Sequence, residues 1–282
     1  MLEALEYPFF QRALMAGVLA SLACGVVGTF VVVKRIASIS GGLSHAAFGG
    51  VGLGYWLGFE PTLGAVIFAL LGGIGIGAGR KRLGNATETA ISIMWAAGMA
   101  LGILFISFTP GYAPDLMSYL FGGILFVPMS YVYYVAALNG LILLVVLLFF
   151  KELQAVAFDE EFAQIMGVPA QFFYVLLLAL VALAIVILIK IVGIILVIAL
   201  LTVPAATARQ WAQSLGQMML GASLFGSLSV ITGLFLAYWL SDVHQLEAPA
   251  GPLIILLALV VYGVSSILKA IRTTSRRRQA GA

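Results

Sequence analysis

"VLLLALVALAIVILI", residues 175–189, is an unbroken apolar run, and its reading decides the fold class. Lipid leaves no backbone group unsatisfied, so only helices and closed barrels span a bilayer. A barrel strand alternates apolar and polar residues at every second position. This run does not alternate. It is therefore read as a helix.

The rest of the chain repeats the pattern. Of its 282 residues, 63% are hydrophobic and 9% are charged, against about 25% charged in a soluble domain. Apolar stretches near the ~20 residues needed to cross hydrocarbon fall at 13–33, 43–58, 61–79, 89–108, 129–150, 172–189, 191–207, 217–240 and 252–268. The second is short, and the sixth and seventh are separated by little more than Lys190. The expected fold is an all-α, polytopic integral membrane helical bundle of about eight to nine transmembrane helices, with discontinuous or re-entrant segments. Residues 1–282 are expected to form one transmembrane domain without a soluble domain or long linker. The acidic start, "MLEALEYPFFQRALMAG", does not resemble a cleaved leader. Cys24, the single cysteine, lies in the first span, where a lone thiol reads as packing.

Orientation follows from the basic residues. Lys34, Arg35, Arg80, Lys81, Arg82, Lys151, Arg209, Lys269, Arg272, Arg276, Arg277 and Arg278 share one side; Arg12 and Lys190 fall opposite. That predicts a cytoplasmic C-terminus and an external N-terminus. The same bias accounts for the net charge of +3, so no nucleic-acid partner is expected.

The cytoplasmic connection "KELQAVAFDEEFAQIMGVPAQ", 151–171, contains a short predicted helix. Asp159, Glu160 and Glu161 crowd its first turn, where the helix dipole favours negative charge. Gly167 and Pro169 stop it. Phe158, Phe162, Ile165 and Met166 are spaced to give one apolar stripe. Two readings stand: an interfacial helix on the headgroups, or a knob that docks into a cytoplasmic partner. No G-x-x-x-x-G-K-[ST] loop occurs, so ATP-driven work would need a separate ATPase polypeptide.

The chain has two histidines. His244, in "LSDVHQLEAPAGPL" (240–253), precedes Glu247 by three residues, a spacing that shares one helical face. Histidine with carboxylate suits zinc, manganese or ferrous iron; the plainer reading is a pair of loop residues at a membrane surface. His45 lies in a glycine-rich apolar run, where it is either a neutral imidazole bonded to a backbone carbonyl or a ligand. Gly50, Gly54 and Gly58 form a small-xxx-small ridge. Gly41 and Gly42 are expected to break the helix, as at transporter substrate sites.

Several stretches together carry a family resemblance. "GVVGTFVVVKRIASISGGLSHAAFGGVGLGYWLG" (25–58), "KELQAVAFDEEFAQIMGVP" (151–169) and "IVGIILVIALLTVPAATAR" (191–209) resemble, in order, the Ser-His-Ala region, coupling segment and G-x-x-L-V-x-A-L-L-x-x-P-A-A-x-A span of permease subunits of zinc-, manganese- and iron-type ABC importers. The resemblance runs from about residue 8 to 268. It implies a prokaryotic inner-membrane permease that moves a divalent cation inward without an enzymatic activity of its own. It also implies a homodimer, a cytoplasmic ABC ATPase, an extracytoplasmic solute-binding protein, surrounding lipid and no permanently bound cofactor. Transported zinc or manganese is the expected cargo. His45, His244 and Glu247 match the family's metal-path ligands, with Asp242 a possible substitute carboxylate. Phe158, Asp159, Glu160, Glu161, Phe162, Ile165, Met166 and Gly167 match the coupling segment. Gly41 stands where family members commonly carry aspartate.

Three other functions fit the sequence less well. A permease for an iron chelate or cobalamin needs a wide, mostly uncharged lumen. An ATPase-independent metal transporter usually keeps several ionisable residues in its spans; Lys190 is nearly the only further one here. An intramembrane metalloenzyme lacks both H-E-x-x-H and a third histidine.

Overall fold

The computed structural model describes residues 2–110, 116–246 and 248–280, and among these there is no strand. The helices are α1 Pro8–Lys34, α2 Ala37–Leu57, α3 Pro61–Leu83, α4 Thr87–Ser107, α5 Leu116–Phe121, α6 Met129–Leu148, α7 Phe150–Phe158, α8 Glu160–Ile165, α9 Ala170–Val192, α10 Ile194–Arg209, α11 Leu215–His244 and α12 Ala250–Ala280. Short 3₁₀ turns cover Leu2–Glu6, Gly84–Ala86 and Ile124–Phe126. Prolines open α1 and α3, where their missing N–H costs nothing.

Each apolar stretch of the sequence corresponds to a helix. Six segments are long and apolar enough to cross a membrane by length and composition, and Pro61–Ser107, one of them, contains both α3 and α4. The helix seeded by 175–189 lies at the centre: 72% of the most apolar part of α9 is buried, against 22% for α12. Helix α9 packs on α3, α1, α2 and α6; α1 packs on α11 and α10; and α2 is held between α3 and α4. Cys24 is buried, as a packing residue should be.

Four local expectations are corrected. Gly41 and Gly42 do not break α2, which is continuous from Ala37 to Leu57. A side chain at Gly41 would run into Trp95 and Ile198, and one at Gly42 into Met94 and Ile91. These glycines serve neighbours, while the backbone keeps its internal hydrogen bonds. The turn lies earlier, at Arg35, whose left-handed φ of 59° caps α1. Gly58 is not part of the packing ridge but the left-handed cap of α2. The ridge is carried by Gly50, against the backbone of Gly64, and Gly54, against Pro61.

The division between α9 and α10 falls at Gly193 rather than Lys190, which lies within α9. Gly193 has φ 83° and ψ 161°, a conformation open essentially to glycine alone, and it abuts the backbone of Leu120 to Gly122. Finally, α11 ends at His244, and Gln245 turns left-handed with φ 53°. The helix on which the relation between His244 and Glu247 was expected to rest thus stops at His244. Glu247 itself lies outside the described residues.

Candidate functional site: a projecting helix and a half-buried histidine

Helix α7 ends at Phe158 and Asp159 becomes extended, which frees its carboxylate to accept the Phe162 N–H at 2.9 Å. This N-cap satisfies one of the orphan donors of α8. Gly167, with φ 83°, closes the helix as expected, and the Val168 N–H returns to the Ala163 carbonyl at 2.9 Å. Ala163 alone in α8 is buried. Phe158, Phe162, Ile165 and Met166 are 64%, 58%, 82% and 67% exposed. The predicted stripe thus projects outward, although Phe158 belongs to the preceding helix.

Behind α8, Glu160 is gripped by two cations. Its carboxylate pairs with Lys34 Nζ at 2.5 Å and accepts from Arg80 at 2.7 and 2.9 Å. Lys34 Nζ also donates to the Val156 carbonyl at 2.7 Å, and the Arg80 guanidinium lies 4.4 Å from the Tyr174 ring centroid. Partial burial alone would raise the Glu160 carboxyl, but the hydrogen bonds and charges of Lys34 and Arg80 outweigh it and hold the group below its ordinary value. The ion pairs therefore stand at neutral pH and are lost as pH falls through that depressed value. Sequence reasoning placed Glu160 with the docking residues and missed Lys34, Arg80 and Tyr174 as its partners. Positions so far apart in the chain carry no local signal of contact.

His45 sits on α2 with its ring stacked on Trp95 of α4, centroids 4.7 Å apart at 25°. The approach is possible because Gly98 of α4 lies against the His45 carbonyl. The buried Nδ1 has no hydrogen-bond partner among the described residues, so the reading of an imidazole tied through that atom to a carbonyl fails. An unmet buried group of this kind costs about 1–3 kcal/mol. His244 instead packs edge-on against Trp239 and is exposed, as is Asp242. Among the described residues no three His, Cys, Asp or Glu side chains group to hold a metal. Among the described residues of one chain, His45, His244 and the possible substitute Asp242 are not grouped in this way; Glu247, the remaining predicted ligand, lies outside the described residues.

Residues 6–269 match the ABC 3 transport family. The chain belongs to that family. Among its relatives is an uncharacterized membrane protein of Synechocystis, 42% identical over 94% of this chain and 92% of its own length. Another is the manganese transport system membrane protein MntC of Listeria monocytogenes, 32% identical over 93% and 91%. The structure of PsaBC from Streptococcus pneumoniae in complex with Fab superposes with a TM-score of 0.82 at 34% identity, covering 94% of this chain and 93% of that one. Membership in the ABC 3 transport family makes the chain a membrane transport subunit.

Proposed function

We infer that this chain is the permease of an ATP-driven importer that carries a divalent metal cation, zinc or manganese, inward. The observation that carries the reading is the segment around α8: four large apolar side chains, Phe158, Phe162, Ile165 and Met166, left exposed on an anchored helix and its flanks, in a sequence without a nucleotide-phosphate loop. A partner ATPase that covers Phe158, Phe162, Ile165 and Met166 removes that exposure and supplies the energy. Family membership and the manganese assignment of the Listeria relative support the cargo. His45, with its unpaired buried nitrogen, is a fitting ligand for a dehydrating cation that must also be released.

Since the described residues of one chain do not group these ligands, the path in this reading lies between two copies, with His244, Glu247 and Asp242 contributing where it opens outward. An extracytoplasmic binding protein delivers the ion there. Residues 151–171 and the C-terminus face the cytoplasm, and the N-terminus faces out. Residues 1–282 act as one transmembrane domain. Gly41, enclosed by Trp95 and Ile198, supplies no carboxylate, which favours nitrogen-accepting zinc over a harder cation.

The test is reconstitution of the chain with its ATPase and binding protein, with ATP hydrolysis and uptake followed for zinc, manganese and iron. Phe162→Asp is expected to weaken ATPase association by roughly tenfold or more, on the scale of a lost interface anchor, without altering the chain's own thermal unfolding. Normal association in that variant, or uptake that proceeds without ATP, sinks the reading.

A further inference from the structure

We propose that the Lys34–Glu160–Arg80 cluster is the joint through which α8 moves the helix bearing His45, with Glu160 a positioning residue for transport and not a docking contact. The proposal rests on α8 being the ATPase contact and extends it to how motion leaves α8.

The exposed faces of α8 and Glu160 point in opposite senses. Phe162 is 58% exposed, whereas the Glu160 side chain is 23% and its partner Lys34 12% exposed. Apart from Glu160 and the buried Ala163, α8 offers the bundle little to hold. A water-exposed ion pair fixes little. Here the two charges are largely removed from water, so loss of either leaves the other poorly compensated. Both oxygens of Glu160 are engaged, and Lys34 is tied in addition to the carbonyl of Val156.

The two cations lead to the same place by separate routes. Lys34 is the last residue of α1, and only Arg35 and Ile36 separate it from α2. Arg35 is fixed in a left-handed cap, with the Ile36 N–H bonded to the Val31 carbonyl at 3.0 Å, so the corner is stiff. From Ala37, His45 lies roughly 12 Å along α2 at ~1.5 Å per residue. Arg80 is in the last turn of α3. Helix α3 meets α2 backbone to backbone at Gly64 and Gly50, so neither helix slides past the other freely. A displacement of Glu160 therefore pulls on α2 both from its start, through α1, and from its flank, through α3.

The experiment uses the whole transporter in proteoliposomes and reads cations moved per ATP hydrolysed, together with ATPase association. In Glu160→Gln, association is expected to stay near wild type and ATP hydrolysis to continue. Uptake per ATP is expected to fall by roughly tenfold, within the range typical of coupling between sites. Lys34→Gln should give the same loss, the double variant little more, and Glu160→Asp partial recovery. A structural role alone would lower yield, hydrolysis and uptake together and leave their ratio intact. An unchanged ratio in Glu160→Gln overturns the joint, as does a loss of association equal to that of Phe162→Asp, which would make Glu160 a docking contact. If Glu160→Gln does not reach the membrane, Lys34→Gln and Glu160→Asp decide by the same ratio. Normal association in Phe162→Asp refutes the functional reading instead, and the joint with it.

Discussion

Helices α2 and α8 each carry one half-buried ionisable residue, His45 and Glu160, yet their surroundings are opposite. Helix α2 buries fourteen of its 21 residues, many of them glycine, and its neighbours approach to backbone contact on two sides. Helix α8 buries only Ala163 and exposes its largest side chains. In α2 each residue is limited by volume: what stands there must be small because α3 and α4 already occupy the space. In α8 volume is free, and the exposure of Phe162 and Ile165 is unexplained by anything among the described residues. A buried helix is accounted for by its own fold, while an exposed apolar helix points to another molecule.

Steric substitutions should therefore be severe in α2 and local in α8. Gly50→Leu should have the largest effect, because even a Cβ there meets the Gly64 backbone, which has no rotamer by which to yield. The loss should exceed the ~1–3 kcal/mol usual for overpacking, seen as failure to recover folded protein in detergent. Wild-type yield and unfolding temperature for this variant would mean that α2 and α3 do not pack as described.

Gly41→Asp comes next. Its Cβ would lie 2.6 Å from the Trp95 ring, a side chain that can move, so about 1–3 kcal/mol of destabilisation is expected. Thermal unfolding in detergent measures it. Restoring the family's usual aspartate should thus lower stability first, and a metal preference can be read only from the folded fraction. An unfolding temperature equal to that of the parent would show that Trp95 leaves room for a carboxylate beside His45.

The smallest effect belongs to α8. Asp159→Ala removes the cap on the Phe162 N–H and should cost about 1 kcal/mol, confined to this short helix. Amide hydrogen exchange at Phe162 should quicken while α2 and α9 exchange as before. Faster exchange spreading into α9 would contradict the local character assigned to α8.

Much of this was legible in the sequence, for identifiable reasons. The helices were readable because lipid forces every spanning backbone to satisfy itself, which turns hydropathy into secondary structure. The short helix α8 was readable because its acidic start at Asp159–Glu161 and its stop at Gly167 lie within one or two turns of each other, although Asp159 proves to be the N-cap and not part of the first turn. The supposed break at Gly41–Gly42 misled because glycine has two uses, freedom of φ and absence of a side chain, and sequence does not say which applies. Trp95 and Ile198 do. The end of α11 at His244 was likewise hidden, since the spacing of His244 and Glu247 assumes a helix that Gln245 terminates.

By itself, then, the sequence determined the helical membrane class, the order of the spans and the short helix near 160–165 with its stop and apolar stripe, all of which follow from interactions among near neighbours along the chain. Only the tertiary structure decided that Glu160 turns inward to Lys34 and Arg80, that Gly50 touches Gly64, and that the Nδ1 of His45 is left without a partner beside Trp95. Those facts depend on which helices come to lie side by side, and packing between helices distant in sequence leaves no local periodicity from which it can be read.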